Sequence, residues 1–557
     1  MYLISIIKTL KLEIKNVLNK TFSCESEFIK DILIDIPSRR IHGELSTNIA
    51  LISAKIFKKS PREIADIILK NLEISKQFKS LPILKSEIAG AGFVNFFLNS
   101  EFYKKVLIEI NEMKNHYGSS GLGKKKKVLI EFVSANPTGP MHIGNARLGA
   151  LGDCLANILK FSGFEVYKEF YVNDSGNQIK KFGESLAARY IQIFDPSFKF
   201  PEDGYQGEDI IEHAQKFSEI YGNKMLNKKN LEDKLIEFAL PKNIEEIKKD
   251  LINYRIFYDN WFYESELYKN DKINAIISKF KELGVVYEKE NTLWFKVNSD
   301  YKNSKDEVLV RSNGIPTYFA SDIAYHANKF LTRKFDICIN IWGADHHGHV
   351  GRMEYAVSLL GIGKKKLKIM IVQLVRLIRN GETERMSKRS GKSETLKSFL
   401  ETVGVDCARF IFNMQNFDSK MDFDLDLALK NDFSNPVYYV QYAHARAFKI
   451  IKNKETENFD YNNLNIQLLN SEEEQDLIFA LACFPKEVTE CAQTYDSTKI
   501  TRYLINLSSL FHKFYNFKRV KCENYEISIC RLFLCIQTVQ TLKNALNLLG
   551  VSAPEDM

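Results

Sequence analysis

The spacing of apolar residues changes along the chain and divides it into parts. Near the start, residues 48–56 and 61–72 carry apolar positions at helical spacing, and residues 88–98 predict a turn followed by a strand. From about residue 435 strand-like alternation stops and helical patterns dominate. We therefore expect an α+β domain over residues 1–117 and an all-helical domain over residues 435–557.

The region between these parts has a different pattern. Residues 128–133 form a short, largely apolar and β-branched run that predicts a buried strand. A loop follows, then apolar residues at one-face helical spacing over 151–159, and then a second strand candidate over 166–172. Strand, loop, helix and strand make one βαβ unit, so we expect an α/β domain with a parallel sheet over residues 124–430.

One stretch interrupts this middle domain. Residues 200–297 contain long polar helices and the aromatic-rich run 257–263, and we interpret the stretch as an insertion. The α/β pattern resumes at Val308, with residues 335–342 and 368–377 as further strand candidates.

Composition narrows the class of protein. The 557 residues carry 78 Lys and Arg against 70 Asp and Glu, and this net charge of +8 permits a nucleic-acid partner without requiring one. The nine cysteines are odd in number and form no C-x-x-C pair, which argues against a disulfide framework and a structural zinc. No apolar run reaches about 18 residues, so we expect no membrane partner and a reducing cytoplasm as the compartment.

The first motif, residues 134–145, joins the first predicted strand to its helix. In open α/β sheets ligands bind at this edge, where the helix N-terminus presents free N–H groups to phosphate. Gly144 permits close approach of a nucleotide. His142 and Asn145 lie one helical turn apart and can donate hydrogen bonds to the same phosphate chain. The alternative is a proline-rich loop whose histidine only caps the helix.

The second motif, residues 379–392, is a polar and basic loop after a strand candidate. Gly381 and Gly391 flank it, and its cations can close over a triphosphate. Lys388 suits the charge of the reacting and leaving phosphates. The alternative is a solvated basic loop.

The third motif, residues 342–349, contains three histidines beside Asp345 and at first suggests a metal site. On an extended strand end, however, His346 and His347 point to opposite faces. We therefore expect no metal ion there.

Together these strings resemble the class I aminoacyl-tRNA synthetases, and the arginyl enzymes match best. The first motif is similar to the HIGH signature in the context of the arginyl enzymes, with Asn145 where a histidine is usual. The part that matches the HIGH signature comprises Ala135, Asn136, Pro137, Thr138, Gly139, Pro140, Met141, His142, Ile143, Gly144 and Asn145. The second motif resembles the KMSKS signature, with Arg385 as its first cation.

The resemblance implies a Rossmann-like catalytic domain and assigns roles to residues. His142, Asn145 and Lys388 are the expected catalytic residues. ATP is expected to contact His142, Gly144, Asn145, Gly343, Asp345, His346, Met386, Ser387 and Lys388. Mg²⁺ would accompany ATP as a substrate partner, without a tightly bound cofactor.

Arginine recognition needs acids for a planar guanidinium. Glu131 lies inside an apolar strand, and Tyr318 and Asp322 share one face of a predicted helix. From spacing alone, Glu131 also suits pairing with a structural Lys or Arg, and Tyr318 suits the core. Residues 308–326 resemble the arginyl enzymes, and the resemblance implies an arginine site made of Glu131, Ser134, Asn136, Tyr318 and Asp322.

The implied function is arginine–tRNA ligation. Arginine and ATP would form arginyl-adenylate, and tRNA(Arg) would then accept the arginyl group. Residues 43–50 resemble the family's N-terminal domain that touches the tRNA elbow, and residues 435–446 resemble the start of its anticodon-binding domain. Residues 548–554 resemble the family's end, so we expect a complete chain, and a monomer as is usual there.

Three alternatives remain for the function. A class I synthetase for another amino acid is one, although the missing zinc-type cysteine pattern disfavours the cysteinyl enzyme. A small-molecule nucleotidyltransferase would not need the helical domain. An inactive tRNA-binding relative is disfavoured by His142 and Lys388.

Overall fold

The structure is a computed structural model that describes residues 1–22, 32–269, 271–298, 305–384, 395–452 and 464–557. Within these ranges the chain forms an N-terminal α+β part, a central part built on a parallel sheet, and a bundle of four long helices. None of the helices in these ranges is long and apolar enough to cross a bilayer.

The N-terminal part is a three-stranded antiparallel sheet covered by helices. Its elements are α1 (Tyr2–Phe22), β1 (Leu45–Thr47), α2 (Ile49–Phe57), α3 (Pro61–Ile74), α4 (Lys76–Lys79), β2 (Ile83–Ala89), β3 (Phe93–Leu98) and α5 (Ser100–Met113). The helices predicted over residues 48–56 and 61–72 are confirmed as α2 and α3. Pro61 begins α3, and Ser60 and Glu63 form a reciprocal capping box before it.

The central part alternates strands and helices. Its first elements are β4 (Lys127–Glu131), α6 (Ile143–Phe161), β5 (Glu165–Val172), α7 (Asn177–Phe194), α8 (Glu208–Tyr221), α9 (Leu231–Asn253), β6 (Asn260–Tyr263), α10 (Ser265–Lys269) and α11 (Lys272–Glu282). It continues with β7 (Val286–Lys289), β8 (Thr292–Phe295), β9 (Glu307–Val310), α12 (Tyr318–Ala327), β10 (Ile337–Gly343), α13 (Val350–Leu359) and β11 (Leu367–Val372). It ends with β12 (Val375–Arg379), β13 (Glu382–Glu384), α14 (Leu396–Val403), α15 (Val405–Phe412), β14 (Met421–Asp424) and α16 (Leu425–Ala428).

Five parallel strands form the main sheet, in the order β11-β10-β4-β5-β6. The central strand β4 places Glu131 opposite Asn340 of β10 and Glu169 of β5. Helix α6 connects β4 to β5, so the predicted βαβ unit is confirmed. The carboxyl ends of all five strands meet at one edge, where ligands bind in open α/β sheets.

One part of the predicted insertion belongs to this sheet. Asn260–Tyr263 lies within residues 200–297, yet as β6 it pairs in parallel with β5. A four-residue edge strand is too short for its periodicity to separate it from its surroundings, which is why the prediction missed it. By contrast, α7, α8 and the first half of α9 form a small core of their own, around Phe182, Phe217 and Leu235.

The strand predicted at Val308 forms, but in another sheet. As β9 it pairs antiparallel with β8, and the main sheet resumes only with β10. The predicted strand over residues 368–377 is two strands, β11 in the main sheet and β12 in a third sheet with β13 and β14. An apolar run predicts a strand but does not say which partner it pairs with.

The C-terminal part is helical, as predicted. It contains α17 (Pro436–Lys452), α18 (Glu472–Thr494), α19 (Thr498–Phe517) and α20 (Tyr525–Leu549). Gly550 ends α20 in the left-handed conformation, with φ 66°. A Cβ there would lie 2.3 Å from Nη2 of Arg409, so the buried guanidinium also requires glycine at this position.

Both flanking parts are tied together and to the centre. The hydroxyl of Tyr117 donates to the carbonyl of Leu481 at 2.9 Å, which joins the N-terminal part to the bundle. Arg409 of α15 is fully buried, donates from Nε to the carbonyl of Leu549 at 2.7 Å, and pairs with Asp153 of α6. The helix that follows the first motif is therefore linked to the end of the bundle.

Candidate active site

The loop between β4 and α6 contains the first motif and leaves the carboxyl end of the central strand. Val133 and Ser134 have φ values of 68° and 40°, a conformation that a β-branched residue rarely adopts. The hydroxyl oxygen of Ser134 accepts the N–H of Tyr171 at 3.1 Å and donates to Oε1 of Glu131 at 3.3 Å. Strained backbone of this kind is concentrated at binding sites.

The start of α6 is capped by the motif itself. Nδ1 of His142 accepts the N–H of Gly144 at 3.1 Å, and Oδ1 of Asn145 accepts the N–H of His142 at 3.0 Å. Since Nδ1 accepts, the ring proton of the neutral imidazole is on Nε2. The histidine does cap the helix, and its Nε2–H and the Asn145 amide N–H groups are of the hydrogen-bond donor type that phosphate oxygens accept from.

Gly144 is required by the ring of His142. A Cβ at this position would lie 2.8 Å from Cε1 of that imidazole. The sequence prediction explained Gly144 by the approach of a nucleotide. The structure adds that any side chain there would displace the capping histidine.

Several contacts anchor the rest of the first motif. Met141 and Ile143 are buried in the main core. Oδ1 of Asn136 accepts a hydrogen bond from Nδ2 of Asn173 at 2.8 Å. The carbonyl of Pro137 accepts one from Nδ2 of Asn243 at 3.0 Å. The last contact comes from the insertion and was not predicted.

The central residues of the second motif, including Met386, Ser387 and Lys388, lie outside the described residues. The chain that follows them returns to the first motif: Thr395 forms a β-bridge with His142. The N–H of Leu396 also donates to the carbonyl of Met141 at 2.8 Å. The chain just after the second motif is thus fixed beside the start of α6.

The third motif differs from the predicted extended strand end. β10 ends at Gly343, and Ala344–His349 forms a 3₁₀ helix. The prediction for His346 and His347 assumed an extended strand end, on which side chains alternate between two faces. That assumption is wrong, because the side chains of a 3₁₀ helix repeat every three residues. Asp345 is exposed, with His346 Nε2 3.6 Å from its Oδ2. Across the described ranges, no group of three or more His, Cys, Asp or Glu side chains is arranged to hold a metal ion.

Tyr318 and Asp322 lie one turn apart on α12, as predicted. Tyr318 is 58% exposed, so its interpretation as a core residue is wrong. Its ring lies 5.5 Å from that of His349, which is buried and donates from Nε2 to Oδ2 of Asp322 at 3.1 Å. His349 therefore orients the Asp322 carboxylate beside an accessible tyrosine.

Glu131 pairs with a structural lysine, the alternative that spacing left open. Nζ of Lys329, which is fully buried, lies 2.6 Å from Oε2 of Glu131 and 3.0 Å from Oδ1 of Asn340. Lys329 points inward from a π-helical turn, Asn328–Thr332. Burial raises the pKa of Glu131, and the charge of Lys329 opposes this effect. Glu131 therefore reaches the site only through Oε1, on the side of Ser134.

Glu264 is a site residue that the sequence prediction missed. It directly follows β6, and its Oε1 accepts the hydroxyl of Ser321 at 3.0 Å. Burial, followed by the negative charges of Asp322 and Asp174, raises the pKa of Glu264 to about 7. The only signal in the sequence was an acid after an aromatic run, which lay inside the presumed insertion. Asp174, Glu264 and Asp322 together make one side of the sheet edge strongly acidic.

A second candidate surface lies on the helical bundle. Rings of Phe433, Tyr438, Tyr439, Tyr442 and His512 contact one another, and Phe433 is 56% exposed. The guanidinium of Arg446 lies 4.0 Å from the ring centre of Tyr515. Exposed aromatic rings beside arginine are typical of surfaces on which bases stack.

Comparisons with known proteins agree with this arrangement. The Arginyl tRNA synthetase N terminal domain matches residues 8–98, the catalytic domain of the class I tRNA synthetases (R) matches residues 107–424, and the DALR anticodon binding domain matches residues 440–557. The arginine–tRNA ligase of Caldanaerobacter subterraneus subsp. tengcongensis is 49% identical over 99% of this chain and 100% of its own length. That of Acetivibrio thermocellus is 46% identical, with the same shares covered.

A solved structure, the arginyl-tRNA synthetase of Thermus thermophilus, aligns with 99% of this chain and 100% of its own at a TM-score of 0.76. At 20% identity it bears on the fold alone. The catalytic-domain model spans more than half of the chain, and the two relatives align along nearly all of it. The chain therefore belongs to the class I arginyl-tRNA synthetases, the family of arginine–tRNA ligases.

Proposed function

We propose that the carboxyl edge of the main sheet activates L-arginine with ATP and passes it to tRNA(Arg). The arginine carboxylate attacks the α-phosphorus of ATP, which forms arginyl-adenylate and releases pyrophosphate. The 2′-hydroxyl of the terminal adenosine then attacks the carbonyl carbon of this anhydride, and AMP leaves. The observation that carries the proposal is the acidic wall of half-buried Asp322 and buried Glu264 at the sheet edge where the first motif begins.

The guanidinium of arginine is assigned to this wall. The negative charge of Asp322 helps to raise the pKa of Glu264, and a cation between the two carboxyl groups relieves this repulsion. The planar five-donor guanidinium satisfies two carboxylates better than an ammonium does. Tyr318 stands one helical turn before Asp322 and covers the side-chain stem.

The α-amino and carboxylate groups are assigned to the strained turn after β4. Oε1 of Glu131, Ser134 and the amide of Asn136 lie along this turn and offer acceptors for an α-ammonium. Lys329 pairs with the other Glu131 oxygen, and its charge opposes the rise in the pKa of Glu131 that burial causes. Both ends of the amino acid would thus be held at the carboxyl edge of the main sheet, one end after β4 and the other at Glu264 after β6.

ATP is assigned to the first and third motifs. The N-terminus of α6, Nε2–H of His142 and the Asn145 amide can stabilise the charge that develops on the phosphate oxygens. Gly343 and the exposed Asp345 and His346 suit the adenosine, with the Asp345 carboxylate accepting ribose hydroxyls. Lys388 and a Mg²⁺ that arrives with ATP would supply the positive charge for the leaving pyrophosphate.

The aromatic surface of the bundle is assigned to tRNA(Arg). Its rings can stack on unpaired bases, and Arg446 can contact both phosphates and bases.

We further propose that the enzyme acts as a monomer in the cytoplasm, where its tRNA partner is found. Light scattering across the working concentration range tests the monomer, and a dimer at those concentrations would exclude it.

Asp322→Asn tests the arginine assignment. The change keeps the shape but removes the charge that faces the guanidinium, so the KM for arginine should rise by about 100-fold while the KM for ATP changes little. The matched control is Asp422→Asn, which removes an exposed partner of Arg376 in the sheet of β12, β13 and β14. Equal effects of both variants, or an unchanged KM for arginine in Asp322→Asn, would exclude the assignment.

A further inference from the structure

Two side chains of the insertion reach the first motif through a chain of buried hydrogen bonds. Asn243 of α9 donates from Nδ2 to the carbonyl of Pro137 at 3.0 Å. Its Oδ1 lies 2.7 Å from Nε2 of His213 on α8. An amide oxygen only accepts, so Nε2 of His213 carries the proton and donates. Both side chains are more than nine-tenths buried.

Asn243 lies at the junction of two cores. The first half of α9 packs with α7 and α8 in the small core, whereas its second half, including Ile247 and Leu251, packs into the main core. Pro241 lies inside α9 between these halves, two residues before Asn243, and its missing N–H removes one backbone hydrogen bond of the helix.

The contact fills a gap between the other anchors of the first motif. Asn136 is held by Asn173, and the carbonyl of Met141 is held by Leu396. Pro137 lies between these points, in the part that contains two prolines and a glycine. Nearby, Oδ2 of Asp209 on α8 lies 3.6 Å from where a Cβ on Gly139 would stand. The insertion thus packs along the middle of the loop.

We propose that Asn243 and His213 are positioning residues, which hold the Pro137 carbonyl and thereby set the path of the first motif into His142. Neither side chain touches the reacting atoms. Loss of the Asn243 donor would leave a buried carbonyl unpaired, and the loop would shift to satisfy it. Because α6 begins six residues later, such a shift displaces the donors that face ATP. The inference rests on the proposed role of the first motif in ATP binding.

The test is arginine-dependent ATP–pyrophosphate exchange with tRNA present, which gives kcat and the KM for each substrate. In Asn243→Leu we expect kcat/KM for ATP to fall by about 10-fold or more, with the KM for arginine changed less. His213→Leu should act in the same direction, and the double variant should be no worse than Asn243→Leu alone. His213→Gln keeps an N–H donor for Asn243 and should restore most of the loss.

Leu235→Ala is the matched control for general damage to the insertion. Leu235 is fully buried in the small core, on the same helix as Asn243, so its loss should lower the unfolding temperature without changing the KM for ATP. An equal effect of Leu235→Ala on ATP, or no effect of Asn243→Leu, would overturn the positioning role.

His142→Ala separates this failure from failure of the proposed ATP site. If His142→Ala loses activity while Asn243→Leu is normal, only the positioning role is wrong. If His142→Ala leaves ATP kinetics intact, the first motif does not bind ATP and the inference falls with it.

Discussion

Replacing Glu264 with glutamine should stabilise the free protein at alkaline pH while weakening arginine binding. Glu264 is 7% exposed and lies beside Asp322 and Asp174. Burial first, and these negative charges next, raise its pKa from 4.5 to about 7, although the hydroxyl of Ser321 opposes the rise. The ionised carboxylate is therefore held at a cost that the neutral amide of glutamine avoids.

The size of this cost follows from the two pKa values. A carboxyl group whose pKa is higher in the folded than in the unfolded state contributes most below the unfolded value, and that contribution is lost as pH rises through about 7. The difference between 4.5 and about 7 corresponds to about 3 kcal/mol once the pH is well above 7. Near pH 5.5 about 1 kcal/mol of that cost has developed.

Unfolding temperatures of both proteins between pH 5.5 and pH 8.5 measure this effect. Glu264→Gln should unfold a few degrees higher at pH 8.5, and its advantage should shrink toward pH 5.5. Arginine should raise the unfolding temperature of the variant less than that of the original protein. The affinity of the original protein for arginine should also increase through about pH 7, because the guanidinium needs the ionised Glu264. A variant that is less stable at pH 8.5, or that binds arginine equally well, would refute this reasoning.

Two further changes test other parts of the molecule. Arg409→Met removes the buried partner of Asp153 and the donor to Leu549, so it should destabilise the protein by about 3–5 kcal/mol in denaturant titrations. The control Arg376→Met, on an exposed ion pair, should change the stability much less. Lys388→Ala should lower kcat for pyrophosphate exchange by orders of magnitude at saturating ATP, and intact turnover would exclude Lys388 as a catalytic residue.

Much of the fold could be predicted from short stretches of the sequence. The run before Glu131, the loop with its prolines and glycines, and the apolar face of α6 identified a βαβ unit and the edge where ligands bind. The four residues of β6 are too few to show the alternation of apolar and polar positions that predicts a strand, so the sheet was predicted without its edge strand. The partner of β9 was hidden for a similar reason, since pairing depends on distant residues.

The site was predictable where its residues are neighbours in the chain. His142 and Asn145 form their capping box within three residues, whereas Lys329 reaches Glu131 across 198 positions. Glu264 and Asn243 were missed for the same reason. Their burial and their polar neighbours come from residues distant in the sequence, which meet only when the insertion folds against the sheet. The prediction of where the histidines of the third motif point was wrong, because these residues form a 3₁₀ helix and not the end of a strand.

Amino-acid-dependent ATP–pyrophosphate exchange, measured with and without tRNA, tests the central claim most directly. Arginine should support exchange when tRNA is present, and citrulline, which has the same shape without the positive charge, should not. Exchange with another amino acid but not with arginine, or no exchange with tRNA bound, would contradict the assignment of the acidic wall and the first motif.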